Sequence, residues 1–102
     1  MSKVYGYCRV ALKNEEEIAQ QRKIIDCYCE GKGLKVDAYF CDNGASGLRY
    51  DRSGLHRMFR VLQEGDTIII KDIAKLSRGV DQCMYFVEKI QKAGATLEII
   101  NI

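Results

Sequence analysis

Hydrophobic positions along the chain change period several times, and each change marks an element. From Lys3 to Arg9, β-branched and aromatic residues alternate as in a strand, with Tyr5, Tyr7 and Arg9 on one face and Val4, Gly6 and Cys8 on the other. Asn14 then reads as an N-cap that leads Glu15, Glu16 and Glu17 into the positive first turn of a helix. Ile18, Ile25 and Tyr28 continue it at helical spacing until Gly31 and Gly33, a span of roughly four turns. Leu34 to Phe40 predicts a second strand. Asp42 to Arg52, DNGASGLRYDR, has neither period and reads as a functional loop, expected to be the most mobile part of the domain. A short helix from Ser53 carries Leu55, Met58, Phe59 and Leu62 on one face and ends at Gly65. Asp66 to Ile73, DTIIIKDI, holds the continuous apolar run of a parallel strand buried on both faces. After AKLSRG, a helix from Val80 to Ala93 is expected to bury Val80, Met84, Val87 and Ile90, before a last strand from Ala95 to Ile100.

Strand and helix therefore alternate through four strands. The order predicts an α/β fold, an open, mainly parallel four-stranded sheet flanked by helices. A length of 102 residues holds one such domain, 1–102, with no room for two cores. Apolar residues at 47% and charged residues at 29% exclude a disordered chain. No stretch has the length and apolarity of a membrane span, and the N-terminus lacks a secretory pattern, so a cytoplasmic protein without a membrane partner is expected.

Five cysteines without C-x-x-C spacing and a single histidine, His56, indicate neither a disulfide framework nor a metal site, and no cofactor is expected. The net charge of +2 is too small to announce a nucleic-acid partner, so the placement of the cations matters more than their number.

Ligands of open parallel sheets sit at the carboxyl ends of the strands. There the first strand delivers Arg9, the second Asp42, Ser46, Arg49 and Arg52, and the third Lys71, Lys75, Ser77 and Arg78. Converging guanidinium forks suit phosphate, and Arg9, ending an otherwise apolar strand, needs a partner to offset its desolvation. Other phosphate and hydrolase signatures are missing: there is no G-x-x-x-x-G-K-[ST], no G-x-G-x-x-G after the first strand, and no full G-x-S-x-G.

In order and spacing, YGYCRV, a polar helix with Gln20, DNGASG, DRSGL, EGDTIIIKDI and KLSRG resemble the N-terminal catalytic domain of the serine recombinases, the resolvase and invertase family. The resemblance implies a resolvase-type fold that cuts and rejoins DNA by attack of a serine hydroxyl on a phosphodiester while arginines hold the phosphate. It assigns Arg9, Arg52 and Arg78 to the phosphate grip and Gln20, Asp42 and Ser46 to supporting positions. The nucleophile's position holds Ala11, and a methyl group cannot attack phosphorus. Glu15 replaces a glutamine, Ala74 an aspartate or serine, and Lys75 an arginine, where a point charge substitutes for a bidentate fork.

The domain is thus expected to be inactive as written. Family members follow this region with a dimerisation helix and a DNA-binding domain, so residues 1–102 are expected to be the catalytic-type unit without them, gripping DNA phosphates weakly, with homo-oligomers in the full-length form. Two alternatives stay open: a non-catalytic module that assembles with an active recombinase, and an α/β domain that binds a small phosphorylated ligand.

Overall fold

The computed structural model describes residues 2–46 and 52–101. Their elements run β1 (Val4–Val10), α1 (Glu15–Gly31), β2 (Ala38–Asn43), α2 (Ser53–Val61), β3 (Thr67–Ile70), α3 (Ile73–Leu76), α4 (Val80–Lys92) and β4 (Thr96–Ile99). All strand pairings are parallel and the sheet order is β2-β1-β3-β4. β1 is therefore an interior strand, and its last residues project into the space where the following loops gather.

The alternation seen in β1 sorts its side chains between two cores. On one face Tyr5 and Tyr7 join Leu55 and Met58 of α2, Leu76 of α3, Phe86 and Ile90 of α4, and Ile68 and Ile70 of β3. On the other, Cys8, Val10 and Ile69 pack against Ile18, Ile25 and Cys29 of α1. The run of isoleucines in β3 is fully buried on both faces, as a strand inside a parallel sheet requires. Asn14 caps α1 as its sequence suggests, its Oδ1 accepting from the Glu17 amide at 3.1 Å. Among the described residues, no helix is long and apolar enough to cross a membrane.

Three features differ from the sequence expectation. β2 begins at Ala38 rather than Leu34 and runs to Asn43 rather than Phe40. Leu34 still belongs to the turn that closes α1, its amide donating to the Cys29 carbonyl at 2.8 Å, while the polar end of the strand stays in the sheet by register with Arg9 and Val10. β3 stops at Ile70, and Ile73, expected in the strand, begins the single turn of α3, which runs into AKLSRG and is too short to express a helical period.

The third difference is the face of α4. Val80 and Met84, expected in the core, are 77% and 60% exposed, and the inward stripe is Gln82, Phe86 and Ile90. Both stripes have helical spacing. Gln82 tolerates burial because its Oε1 accepts from the Ser77 hydroxyl at 2.9 Å, so a polar residue occupies a core-facing position and hides the true stripe from a hydrophobicity count.

Candidate functional site

β1 ends by carrying Arg9 into a cleft of about 570 Å³ bounded by Ala11, Leu12, Lys13, Glu17, Lys75 and Arg78. The Arg9 side chain is held by backbone carbonyls rather than by acids. Its Nε donates to the Lys75 carbonyl at 3.1 Å, Nη1 to the Ala45 carbonyl at 2.7 Å and Nη2 to the Ala74 carbonyl at 2.7 Å. Its backbone is held as firmly. The Arg9 amide donates to Oε1 of Gln21 at 3.1 Å, and Nε2 of Gln21 returns a bond to the Arg9 carbonyl at 3.0 Å. Burial, and next the neighbouring charge of Arg52, pull the Arg9 pKa down from its ordinary value. The cation is thus fixed in a place that disfavours its charge, a place an anion would relieve.

Arg52 is the largest fully buried side chain among the described residues. One Nη1 hydrogen bond reaches the Lys75 carbonyl at 3.2 Å, Nη2 donates to the Leu76 carbonyl, and the guanidinium lies 5.0 Å from the centre of the Phe86 ring. Those carbonyls are the open end of α3, so the cation satisfies groups that a helix C-terminus leaves bare. Arg52 therefore fastens α3 to the sheet, and the surface of the cleft is left to Lys75, half-buried, and Arg78, exposed.

Asp42 sits beside this buried cation with its carboxylate fully used. It accepts from the Tyr7 hydroxyl at 2.7 Å and from the amides of Gly54 at 2.7 Å and Leu55 at 2.9 Å. It caps α2 from outside that helix, where Arg52 occupies the N-cap position without a side-chain cap bond. Gly54 allows the approach: a Cβ there would lie 2.4 Å from the Cys41 carbonyl oxygen.

The predicted site residues thus divide. Arg9, Ala11, Lys75 and Arg78 meet at the cleft, with Ala74 contributing its carbonyl to Arg9. Arg52 and Asp42 lie behind it as buried supports. Ser46 is exposed, and Arg49, with residues 47–51 of the loop expected to be mobile, lies outside the described residues.

Two expectations are corrected. Gln20 is exposed and faces away beside Ile24 and Ile100, and the supporting glutamine is its neighbour Gln21, 1% exposed. The signal was present, since Gln21 falls on the Ile18–Ile25 stripe and Gln20 does not. Glu15, which stands where the resemblance has a glutamine beside the pocket, accepts from Nδ2 of Asn43 at 2.9 Å, and the carboxylate lining the cleft belongs to Glu17.

Among the described residues, no group of histidine, cysteine or acidic side chains is placed to hold a metal ion. What the arrangement can do is hold a tetrahedral oxyanion between Arg9, Lys75 and Arg78. It presents no hydroxyl at Ala11.

Comparison with known proteins follows the same outline. Residues 4–102 match the family described as Resolvase, N terminal domain. The chain is 27% identical over 96 residues to a resolvase of Clostridium perfringens, covering 94% of this chain and 48% of that protein. It is 30% identical over 89 residues to a DNA-invertase of Escherichia phage P1, covering 87% of this chain and 44% of that protein. The chain thus spans about half the length of the curated relatives it matches. The crystal structure of the N-terminal catalytic domain of TP901-1 integrase superposes with a TM-score of 0.90 at 26% identity, covering 98% of this chain and 79% of that one.

Proposed function

This chain belongs to the resolvase N-terminal domain family, and we propose that it grips a DNA phosphodiester in the cleft at the end of β1 without cutting it. It is a serine-recombinase domain of the resolvase and invertase type. One observation carries the proposal: Arg9 is immobilised by three carbonyls beside Lys75 and Arg78, while the residue where the family resemblance puts a hydroxyl is Ala11. Arg9 is itself 3% exposed, so it supplies fixed positive charge at the back of the cleft while Lys75 and Arg78 offer donors at its mouth. The grip is built and the nucleophile is lacking.

Binding through phosphates alone is weak, indifferent to sequence and steeply salt-dependent. Fluorescence anisotropy with a mixed-sequence duplex should show this. Lys75→Ala and Arg78→Ala should each flatten the salt slope by about one while leaving thermal unfolding unchanged. A tight, sequence-specific complex, or binding that ignores salt, overturns the phosphate grip. A covalent protein–DNA adduct surviving denaturation overturns the absence of cleavage.

Homo-oligomerisation is the second part of the reading, supported by the apolar side chains of Ile73, Val80 and Met84 that α3 and α4 leave in solvent. Sedimentation over a concentration series should show self-association that Val80→Lys abolishes. A monomer at every concentration counts against it for these residues.

A further inference from the structure

Outside the cleft, the sheet brings two thiols together. Cys8 of β1 and Cys41 of β2 are direct register partners in adjacent parallel strands, and both are free. Both pack on the α1 side, where Cys8 is fully buried and Cys41 half-buried. We infer that Cys8 and Cys41 form a peroxide-responsive dithiol that closes reversibly into a disulfide between β1 and β2.

Three features favour this pair over the other cysteines. Adjacent strands lie about 4.8 Å apart, inside the range of Cα separations a disulfide accepts. The Cβ atoms must be drawn closer than the sheet sets them, so the bond is easily reduced. Finally, the partners' chemistry is unequal. The neighbouring Cys8 thiol, with Arg22 and Arg57 nearby, brings the Cys41 thiol down to about 7 against the opposing effects of burial and Asp42. The Cys8 thiol is pushed up by the adjacent Cys41 and by burial, with Asp26 adding to the rise and Arg22 opposing it. Cys41 is the attacking sulfur and Cys8 the resolving one.

The chemistry balances with hydrogen peroxide as the oxidant. The Cys41 thiolate attacks one peroxide oxygen, the O–O bond breaks, and the departing hydroxide takes a proton and leaves as water. The Cys8 sulfur then attacks the sulfenic sulfur of Cys41, the S–S bond forms as the S–O bond breaks, and the hydroxyl leaves with the Cys8 proton as a second water. Two thiols lose two electrons and one peroxide becomes two waters. The next register pair is Arg9 and Asp42, so a drawn-in bond at Cys8 and Cys41 acts directly on the end of β1.

The test is peptide mapping of the unmodified protein after brief exposure to stoichiometric hydrogen peroxide, quenched by alkylation. The expected product is an intramolecular Cys8–Cys41 cross-link, lighter than the reduced chain by two hydrogens and reversed by dithiothreitol, with Cys27 still alkylated. Its formation rate should fall as pH drops below about 7. Cys8→Ser should leave Cys41 as a sulfenic acid that dimedone traps. Preferential oxidation of Cys27 or Cys83, or Cys41 proceeding to sulfinic acid in the unmodified protein with no cross-link, overturns the inference. Because the mapping needs no variant and no DNA, its outcome is independent of whether the cleft binds phosphate.

Discussion

At the scale of single residues, the same side-chain type serves opposite purposes according to depth. Arg78 is a solvated cation at a cleft mouth, whereas Arg52 is enclosed and committed to carbonyls and aromatic rings. The motif order in the sequence placed both at the site but could not say which faced it, because depth is set by α3 and Phe86, which no local pattern ties to Arg52. The glutamines teach the converse. Gln21 closes two hydrogen bonds on the backbone of Arg9, so Gln21→Leu should destabilise the fold by about 1–3 kcal/mol through the peptide groups it strands. Gln20→Ala should stay within about 0.5 kcal/mol of the parent. Urea titrations of the two variants check the pair.

Among the elements, α3 is the one whose existence depends most on its neighbours. A single turn has no intrinsic stability. It is held because Arg9 and Arg52 reach its carbonyls from β1 and from the start of α2. Arg52→Lys keeps the charge and loses the planar fork, so it should lower stability by about 2–4 kcal/mol and strip protection from the amides of Lys75 and Ser77 in hydrogen exchange. Arg78→Lys should do neither. The longer elements were legible in the sequence because their periods persist: α1 with its cap, the isoleucines of β3, the general course of α4. The end of β2 was not, because Asp42 and Asn43 are polar residues made strand-compatible by partners distant in the chain, Tyr7 and the amides of α2 for one and Asn14 and Glu15 for the other.

Over the whole molecule, the parallel order was readable from alternation alone, and with it the end of the sheet where the cations gather. Less readable were the links that tie remote ends together. Glu98 of β4 accepts from Lys32 at 3.0 Å and from the Tyr28 hydroxyl at 2.9 Å, joining the last strand to the end of α1. Its hydrogen bond from Lys32, and then that from Tyr28, hold its pKa below the ordinary 4.5. A carboxylate depressed in the folded state contributes stability above its unfolded value and loses it as pH falls through the folded one. The difference in thermal midpoint between the parent and Glu98→Gln should therefore be present at neutral pH and be lost on acidification through the depressed folded value, below the ordinary 4.5.

Asp42 has one more consequence. It stands one residue before the end of β2, and its carboxylate receives the first amides of α2, so the chain departs from and returns to nearly a single point. The intervening segment is a closed excursion whose mouth is fixed independently of its length. Closure entropy rises only with the logarithm of length, about 0.6 kcal/mol for each doubling. A glycine-serine insertion between Ser46 and Arg52 that doubles the excursion should cost about that much in a denaturant titration, and several times more once Asp42→Ala has unfastened the mouth. In an evolving lineage, this is the place where the domain can acquire new sequence without renegotiating its fold.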